Sequence, residues 1–553
     1  MTMTTTESRF ESEWDGSSFP KERRTGVVLG LDWVQVGTVL VGIGMAILQA
    51  LFLVPFPWGV LTAIPVLMIT AAVAIPKPAG RSIPVWGAVI LYYKLRNRRG
   101  QLQYRRQLAP VQVEQDAELL DGEDDDDDDE PDDGISRETQ WRDARGRIKL
   151  TTERRRFTLP GELAELTAYE LPGGPAFVWD PRHREGIMVA QVSTPKAFGL
   201  EAAEDQEGRT RGYRDGLTAL AGVEGIDRWV TSDQTTLIAG ARIERYYDQK
   251  RAKAPTVWEE DLEQHVPLSG ENVDPFQHSA FIDLMRESGS VPVHEMWLTI
   301  VLSEKKLREA ITVSGGGIRG FMEVAIGVTG SVESVVEDSG AEVTGWHTPR
   351  TLAGLSRSAF DPGSTLMVTQ GDGGIAGADV TDAGPMAMDV YPDRIAADSA
   401  VHRTYMISEW PQHQAKLGFL EEFVFAGGFR HTITVAYKPE EPAKALHRNK
   451  QRKADLATAN RMRQKLDQPD TQQPEREGAD VEKEEAELLE GHAPMKPVGL
   501  ITISAEDMSS LEANCQKVLT RATRANCQLR PVWREQDAAF AAAALPFGRI
   551  GIR

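Results

Sequence analysis

Few residues in this chain have the types and spacing to do chemistry. Gly315-Gly316-Gly317-Ile318-Arg319-Gly320 satisfies G-x-G-x-x-G ahead of a helical pattern. In that arrangement glycine turns let backbone amides approach a pyrophosphate at a helix amino terminus. A dinucleotide site also needs a strand–helix–strand unit and an acid about 20 residues further on. Glu337 and Asp338 fall near that distance but end a helical pattern, and Ala310 to Val313 makes a thin preceding strand. A flexible loop leading into a helix is the stronger reading. A nucleotide-dependent enzyme built on Gly315 to Gly320 is the alternative.

The remaining chemistry is sparser still. A P-loop motor needs Gly-Lys-Ser or Gly-Lys-Thr to cradle phosphates, and neither tripeptide occurs. The ten histidines are scattered, with no H-E-x-x-H. His294-Glu295 sits inside a strand-like run, so the two side chains point to opposite faces. Cys515 and Cys527 are the only cysteines, too few for a disulfide framework or a four-cysteine zinc site. No G-x-S-x-G elbow marks a serine nucleophile. The sequence therefore reads as a non-enzyme, with no catalytic residue, cofactor or metal ligand.

The elements that must position these residues are set by charge and hydropathy. With Lys plus Arg 62 and Asp plus Glu 82, the net charge of −20 argues against a chain that coats nucleic acid. Fourteen acids and no base lie between Glu114 and Asp133, including six consecutive aspartates, so this stretch repels itself and reads as a disordered linker. From Trp33 to Pro76 there are 44 residues without a charge. A bilayer core takes about 20 apolar residues per helix. The run thus reads as a two-helix transmembrane hairpin, turning at Pro55-Phe56-Pro57-Trp58. Basic residues on both flanks place both termini in the cytoplasm, in a multi-pass protein of the inner membrane. Trp33, Trp58 and Trp86 then suit the membrane interface. The segment from Ile83 through Lys94, Arg98 and Arg99 reads as an amphipathic helix on the inner face, with a helix of the protein body as the other reading.

Beyond residue 150 strand-like and helical runs interleave without strict alternation, which predicts an α+β fold. Strands are expected at Gly186 to Val192, Val291 to Leu302, Thr404 to Ser408, His431 to Tyr437 and Gly499 to Ser504. Helices are expected at Arg211 to Ala221, Phe276 to Arg286, Phe321 to Asp338, Gln412 to Phe423 and Ala505 to Arg524. Lys444 to Leu466 carries eight bases and one acid, whereas Glu475 to Glu490 carries eight acids and two bases. These arms can pair as an antiparallel helical hairpin. The expected organisation is a tail over 1–32, the transmembrane hairpin over 33–76 and a basic juxtamembrane segment over 77–110. An acidic linker follows over 111–150, then a first α+β subdomain over 151–362. A loop over 363–385 leads to a second subdomain over 386–553, which contains the charged helical hairpin 444–490.

Two stretches resemble conjugative, type IV-like secretion machinery. The order Gly30-Leu31-Asp32-Trp33, an apolar hairpin, Trp86, Tyr92-Tyr93-Lys94 and Arg98-Arg99 resembles the PrgI family of small membrane proteins. From about Phe157 onward the element order is similar to the amino-terminal, non-motor domain of the large secretion ATPase. That order is an α+β body, the strand before Pro411, the charged hairpin, the strand Gly499 to Ser504 with its helix, then Arg534-Glu535-Gln536 leading to Leu545-Pro546-Phe547-Gly548. In that family a motor domain with a Walker A loop follows the Leu-Pro element. Here Arg553 lies five residues past Gly548, so the resemblance implies a motor on a separate chain.

The implied function is a membrane-anchored structural subunit for conjugation and DNA transfer, which docks and positions a separate P-loop ATPase. Implied partners are that ATPase, other inner-membrane secretion subunits, lipid and further copies in an oligomer, without direct nucleic-acid contact. Leu545, Pro546 and Phe547 are the candidate docking residues if they form an exposed apolar terminus; capping the protein's own core is the other reading.

Overall fold

The computed structural model describes residues 33–50, 58–76, 81–106, 155–194, 201–239, 256–259, 264–267, 279–281, 283–284, 290–365, 368, 376–411, 418–465, 472–489 and 494–550. The tail over 1–32, the acidic run and the Pro55–Pro57 turn lie outside these residues, as do most of Phe276 to Arg286 and Gln412 to Lys416.

Three helices come first, α1 (Trp33–Leu48), α2 (Trp58–Ala74) and α3 (Ile83–Arg98), followed by strand β1 (Gln103–Arg105). Next are β2 (Arg155–Arg156), β3 (Thr167–Glu170), β4 (Ala176–Asp180), β5 (Glu185–Ser193), α4 (Ala203–Gly222), β6 (Ile226–Ala239), β7 (Thr256–Glu259), β8 (Gln264–Pro267) and β9 (Ser290–Ser303). Helices α5 (Arg308–Val313) and α6 (Gly317–Asp338), strand β10 (Glu342–Trp346) and helix α7 (Pro349–Phe360) lead to β11 (Ala387–Val390), β12 (Ile395–Ala397) and β13 (Ala400–Glu409). The chain then forms α8 (Glu421–Val424), β14 (His431–Pro439), α9 (Pro442–Lys465), α10 (Gln472–Leu489) and β15 (Met495–Ala505). Last come α11 (Met508–Arg524), β16 (Gln528–Pro531) and α12 (Gln536–Ala543).

Fourteen strands form one sheet in the order β1-β11-β12-β13-β15-β14-β6-β9-β5-β4-β3-β2, with β10 beside β5 and β16 beside β13. Among the described residues every pairing in it is antiparallel. The α+β class holds. Strands from both expected subdomains share the sheet, because β14 pairs with β6 through Thr434↔Ser232 and its neighbours. The stretch between the halves is also more than a loop, since Val380 and Ala383 are buried in the core.

Alternation explains how one sheet serves two core layers. On β9, Trp297 and Val301 enter one apolar cluster, with Phe157, Phe360 and Phe547. Leu298, Ile300 and Leu302 enter the other, with Trp229, Phe177 and Phe321. Successive strand residues face opposite sides, so a β-branched, apolar run fits a strand covered on both faces. Helix α6 covers the second cluster with Phe321, Ala325, Val332 and Val336, a spacing that follows the helical repeat. Helix α11 uses Leu511, Cys515, Val518 and Ala522 in the same way, and its N-cap Asp507 accepts from the Ser509 and Ser510 amides at 2.8 and 3.0 Å.

The expected transmembrane hairpin is overturned. Among the described residues no helix is long and apolar enough to cross a membrane. Helices α1 and α2 have 16 and 17 residues, which at about 1.5 Å per residue fall short of the roughly 30 Å hydrocarbon core. The multi-pass inner-membrane placement, with both termini cytoplasmic, falls with the spans. A charge-free run counts turn residues as well as helical ones, which is why its length overstated the helices. The two helices instead pair antiparallel. Gln35 donates to the Ala74 carbonyl at 2.6 Å, and a Cβ on Gly42 would lie 2.2 Å from Thr70 Cγ2.

Helix α3 is likewise seated on the protein. Arg81 pairs with Glu535 at 2.7 Å, Arg96 with Asp537, and the Tyr93 hydroxyl donates to the Val390 carbonyl at 3.2 Å. Leu102 is buried in the main core and β1 extends the sheet beside β11. The amphipathic pattern therefore marks a helix with one face on the body.

The two charged arms form α9 and α10. Arg448 and Arg452 share Glu484 at 2.7 and 2.9 Å, and Lys453 pairs with Glu485. Ala445 and Val481 are buried in the hairpin.

Candidate functional site

A set of residues with partners on many strands lies near the carboxyl end. After β16 the chain lies across the sheet as a strap, bonded in turn to six strands. Gln536 receives the Thr404 amide of β13 at 2.9 Å and donates to the Thr404 and Val532 carbonyls at 3.1 and 2.7 Å. At the end of α12 the Ala543 carbonyl accepts from Thr434 of β14 at 2.6 Å. The Pro546 carbonyl accepts from Thr299 of β9 at 3.4 Å, and the Gly548 carbonyl accepts from Arg228 Nε of β6 at 2.6 Å. Arg549 then pairs with Asp180 of β4 and stands 3.7 Å from Glu185 of β5.

Local chemistry shapes this path. Gly548 has φ +61°, and a Cβ there would lie 2.4 Å from Val301 Cγ2, so only glycine brings the strap this close to β9. Phe547 is fully buried and meets Phe157 edge to face at 5.2 Å. Leu545 and Pro546 are buried as well. The exposed apolar terminus required for docking through Leu545, Pro546 and Phe547 is therefore not present. These residues cap the protein's own core.

The charges at the end of the strap form a closed set. Arg228 holds both oxygens of Glu185 at 2.6 Å each, and burial opposed by that carboxylate leaves its guanidinium more basic than usual. Asp180 accepts from the Arg182 and His183 amides at 2.9 and 3.3 Å and from His183 Nδ1 at 2.8 Å. Burial pushes its carboxyl up, but Arg549 and His183 outweigh that and hold it below the ordinary range. Asp180, His183 and Glu185 lie close enough together to hold a metal ion. Their ligand atoms already face guanidinium groups: Arg549 takes Asp180 and stands 2.9 Å from His183 Nδ1, and Arg228 takes Glu185. A second cation would meet two positive charges at once, so the set does not fit a metal. It acts mechanically, by fixing the strap end to β4, β5 and β6.

The other sequence candidates are dispersed. The glycine loop joins α5 to α6, with Gly315, Gly316 and Gly317 all at positive φ. The Gly316 amide donates to the Ile311 carbonyl at 2.8 Å, and a Cβ on Gly320 would lie 2.4 Å from that same oxygen. The glycines thus serve a tight helix-to-helix turn in an antiparallel setting. His294 contacts Asp233 and Thr235 through Nδ1 at 3.2 and 3.1 Å. Cys515 and Cys527 are both free and buried. Trp58 is exposed at the start of α2, Lys94 and Arg98 are exposed on α3, and Arg99 is exposed just after it. Trp86 lies under Arg81, 5.7 Å from ring centroid to guanidinium. Trp33 begins α1.

Sequence reasoning missed Asp180, Glu185, Arg228 and Arg549. They come from three separate stretches of the chain, with Asp180 and Glu185 on one hairpin, and share no motif, so no local signal marks them. Gly548, at the end of the Leu-Pro-Phe-Gly run, was the one legible part. No family model matches the chain, and no curated protein matches it.

Proposed function

We propose that this chain is a non-motor structural subunit of a conjugation or type IV-like secretion complex, and that it docks and positions a separate P-loop ATPase. The observation that carries the reading is the strap. The segment resembling the family's Arg-Glu-Gln and Leu-Pro elements is bonded to β13, β14, β9, β6, β5 and β4. Glu535 and Asp537 also tie it to Arg81 and to Arg96 of α3. Force applied near this end is shared across the sheet instead of peeling a single element. That is what a fixed reference for a neighbouring motor requires. The sequence contains no Walker A tripeptide, which is consistent with hydrolysis residing in another chain.

Affinity purification of the full chain from its native cells, followed by mass spectrometry and an ATPase assay, tests the reading. The expected eluate contains a P-loop ATPase in stoichiometric amount, and hydrolysis is lost when that partner is removed. Intact, folded bait without such a partner sinks the proposal.

A further inference from the structure

Helices α1 and α2 are built inside out compared with an ordinary surface hairpin. Small residues lie between them: Gly42 faces Thr70, and Ala46, Ala63 and Ala74 are buried. The large side chains point away instead. Leu40, Ile43 and Ile47 recur at helical spacing on α1, as Leu61, Ile64 and Met68 do on α2, and all six are exposed. A surface helix normally turns such a stripe toward its own core and a polar face toward water. Neither helix contains a charged residue.

Thirteen large apolar side chains on these two helices are exposed. They present on the order of 1,000 Å² of apolar surface, beyond the roughly 300–600 Å² of the largest patch on a typical monomer. Helix α3 meets both helices, yet among the described residues the two outer stripes stay open.

We propose that this face is the interface with a second copy of the chain, the two hairpins packing as a four-helix bundle. A standard interface takes about 800 Å² from each partner, which one hairpin can supply. A two-fold contact sets the same patch against itself, and two charge-free patches meet without repulsion or loss of ion hydration. Antiparallel helices with apolar residues at three- and four-residue spacing have the pattern that such bundles bury. The area removed from water is what drives the association. This proposal is independent of the docking reading.

Sedimentation equilibrium of the full chain in detergent-free buffer tests it. The wild type is expected at twice the mass of one chain, dissociating on dilution. Leu40→Lys and Met68→Lys should each raise the dimer Kd at least tenfold, and the double variant should sediment as a monomer. Both side chains are exposed in the single chain, so the circular dichroism spectrum of the variants should match that of the diluted wild type. Val313→Lys, at an exposed apolar residue on α5, should leave Kd unchanged and serves as the control. A wild type that is monomeric at every concentration overturns the proposal, since the chain's own remaining residues would then cover the face. So does a chain that stays dissolved only in detergent, as a monomer, which would assign the face to an apolar phase. A dimer unaffected by the two lysines also overturns it, by placing the contact elsewhere.

Discussion

Arg228 and Glu185 face each other through two parallel hydrogen bonds of 2.6 Å, and Nε of the same guanidinium holds the Gly548 carbonyl. One side chain thus joins β5, β6 and the strap. Replacing Arg228 with Met leaves the largely buried Glu185 without its main partner and frees the strap end. Breaking a buried pair in this way costs about 3–5 kcal/mol. Chemical denaturation of Arg228→Met should show a loss of that size, and a change under about 1 kcal/mol would show that the pair carries little.

Phe547 provides a second check on the strap. It is fully buried against Phe157 in the main core, and truncating a buried phenylalanine costs about 3–5 kcal/mol. Phe547→Ala should lower the midpoint of thermal unfolding markedly. A folded variant of unchanged stability would instead point to a surface role for this residue.

Acid stability should be governed by buried histidines. Burial lowers His402 to about 3 and His347 to about 4, from an ordinary 6.5. The unfolded chain takes up these protons below pH 6.5 while the folded chain does not. Their contribution is therefore fully present above about 6.5 and is lost as pH falls toward 4 and then 3. Each such histidine adds a slope of up to about 1.4 kcal/mol per pH unit. His402→Gln also loses the contact of His402 with Ser504 at 2.8 Å. It should therefore be less stable at pH 8, yet show a shallower decline between pH 6 and 4. Equal slopes for the two proteins would contradict the assignment.

The charged hairpin invites a charge swap. Arg448 lies 2.7 Å from Glu484 across α9 and α10, in a partly exposed position where such pairs couple by about 0.5–1 kcal/mol. Arg448→Glu should speed hydrogen exchange in both helices, and adding Glu484→Arg should restore only part of the protection, because the new arginine lies beside Arg452 and the new glutamate beside Glu440. Failure of the second change to restore any of it would assign the hairpin's order to Ala445 and Val481 instead.

Among the described residues Asn449 has a partner for neither of its amide atoms, and it is fully buried in the same helix. An unsatisfied buried amide costs about 1–3 kcal/mol. Asn449→Leu should hold or raise stability by about 1 kcal/mol, measured by denaturation. A large loss would show that the folded chain itself satisfies the amide.

How much was legible follows from the range of each interaction. The strands β5, β9, β13, β14 and β15 and the helices α4, α6 and α11 announced themselves through local periodicity, and the two charged arms through composition alone. Strand β6 was missed although it pairs along its length with β9 and β14. Its run through Thr231, Ser232, Asp233, Gln234, Thr235 and Thr236 is polar, and its hydroxyls find partners far off in sequence, as Ser232 does with Thr434 of β14 at 3.0 Å and Thr235 with the Val424 carbonyl of α8 at 3.4 Å. Residues 33–76 misled because lack of charge records hydropathy, whereas helix length depends on where the chain turns.

The sequence by itself determined the α+β class, the main periodic elements, the opposing charged arms and the absence of a Walker A loop. These depend on residues near one another along the chain or on its whole composition. Tertiary structure alone decided that both halves share one sheet, that Leu545 to Phe547 turn inward, and that Arg228 and Arg549 close on Glu185 and Asp180. Those outcomes pair residues from 43 to 369 positions apart, and the energy that selects such a pairing exists only once the sheet has brought both partners to the same place.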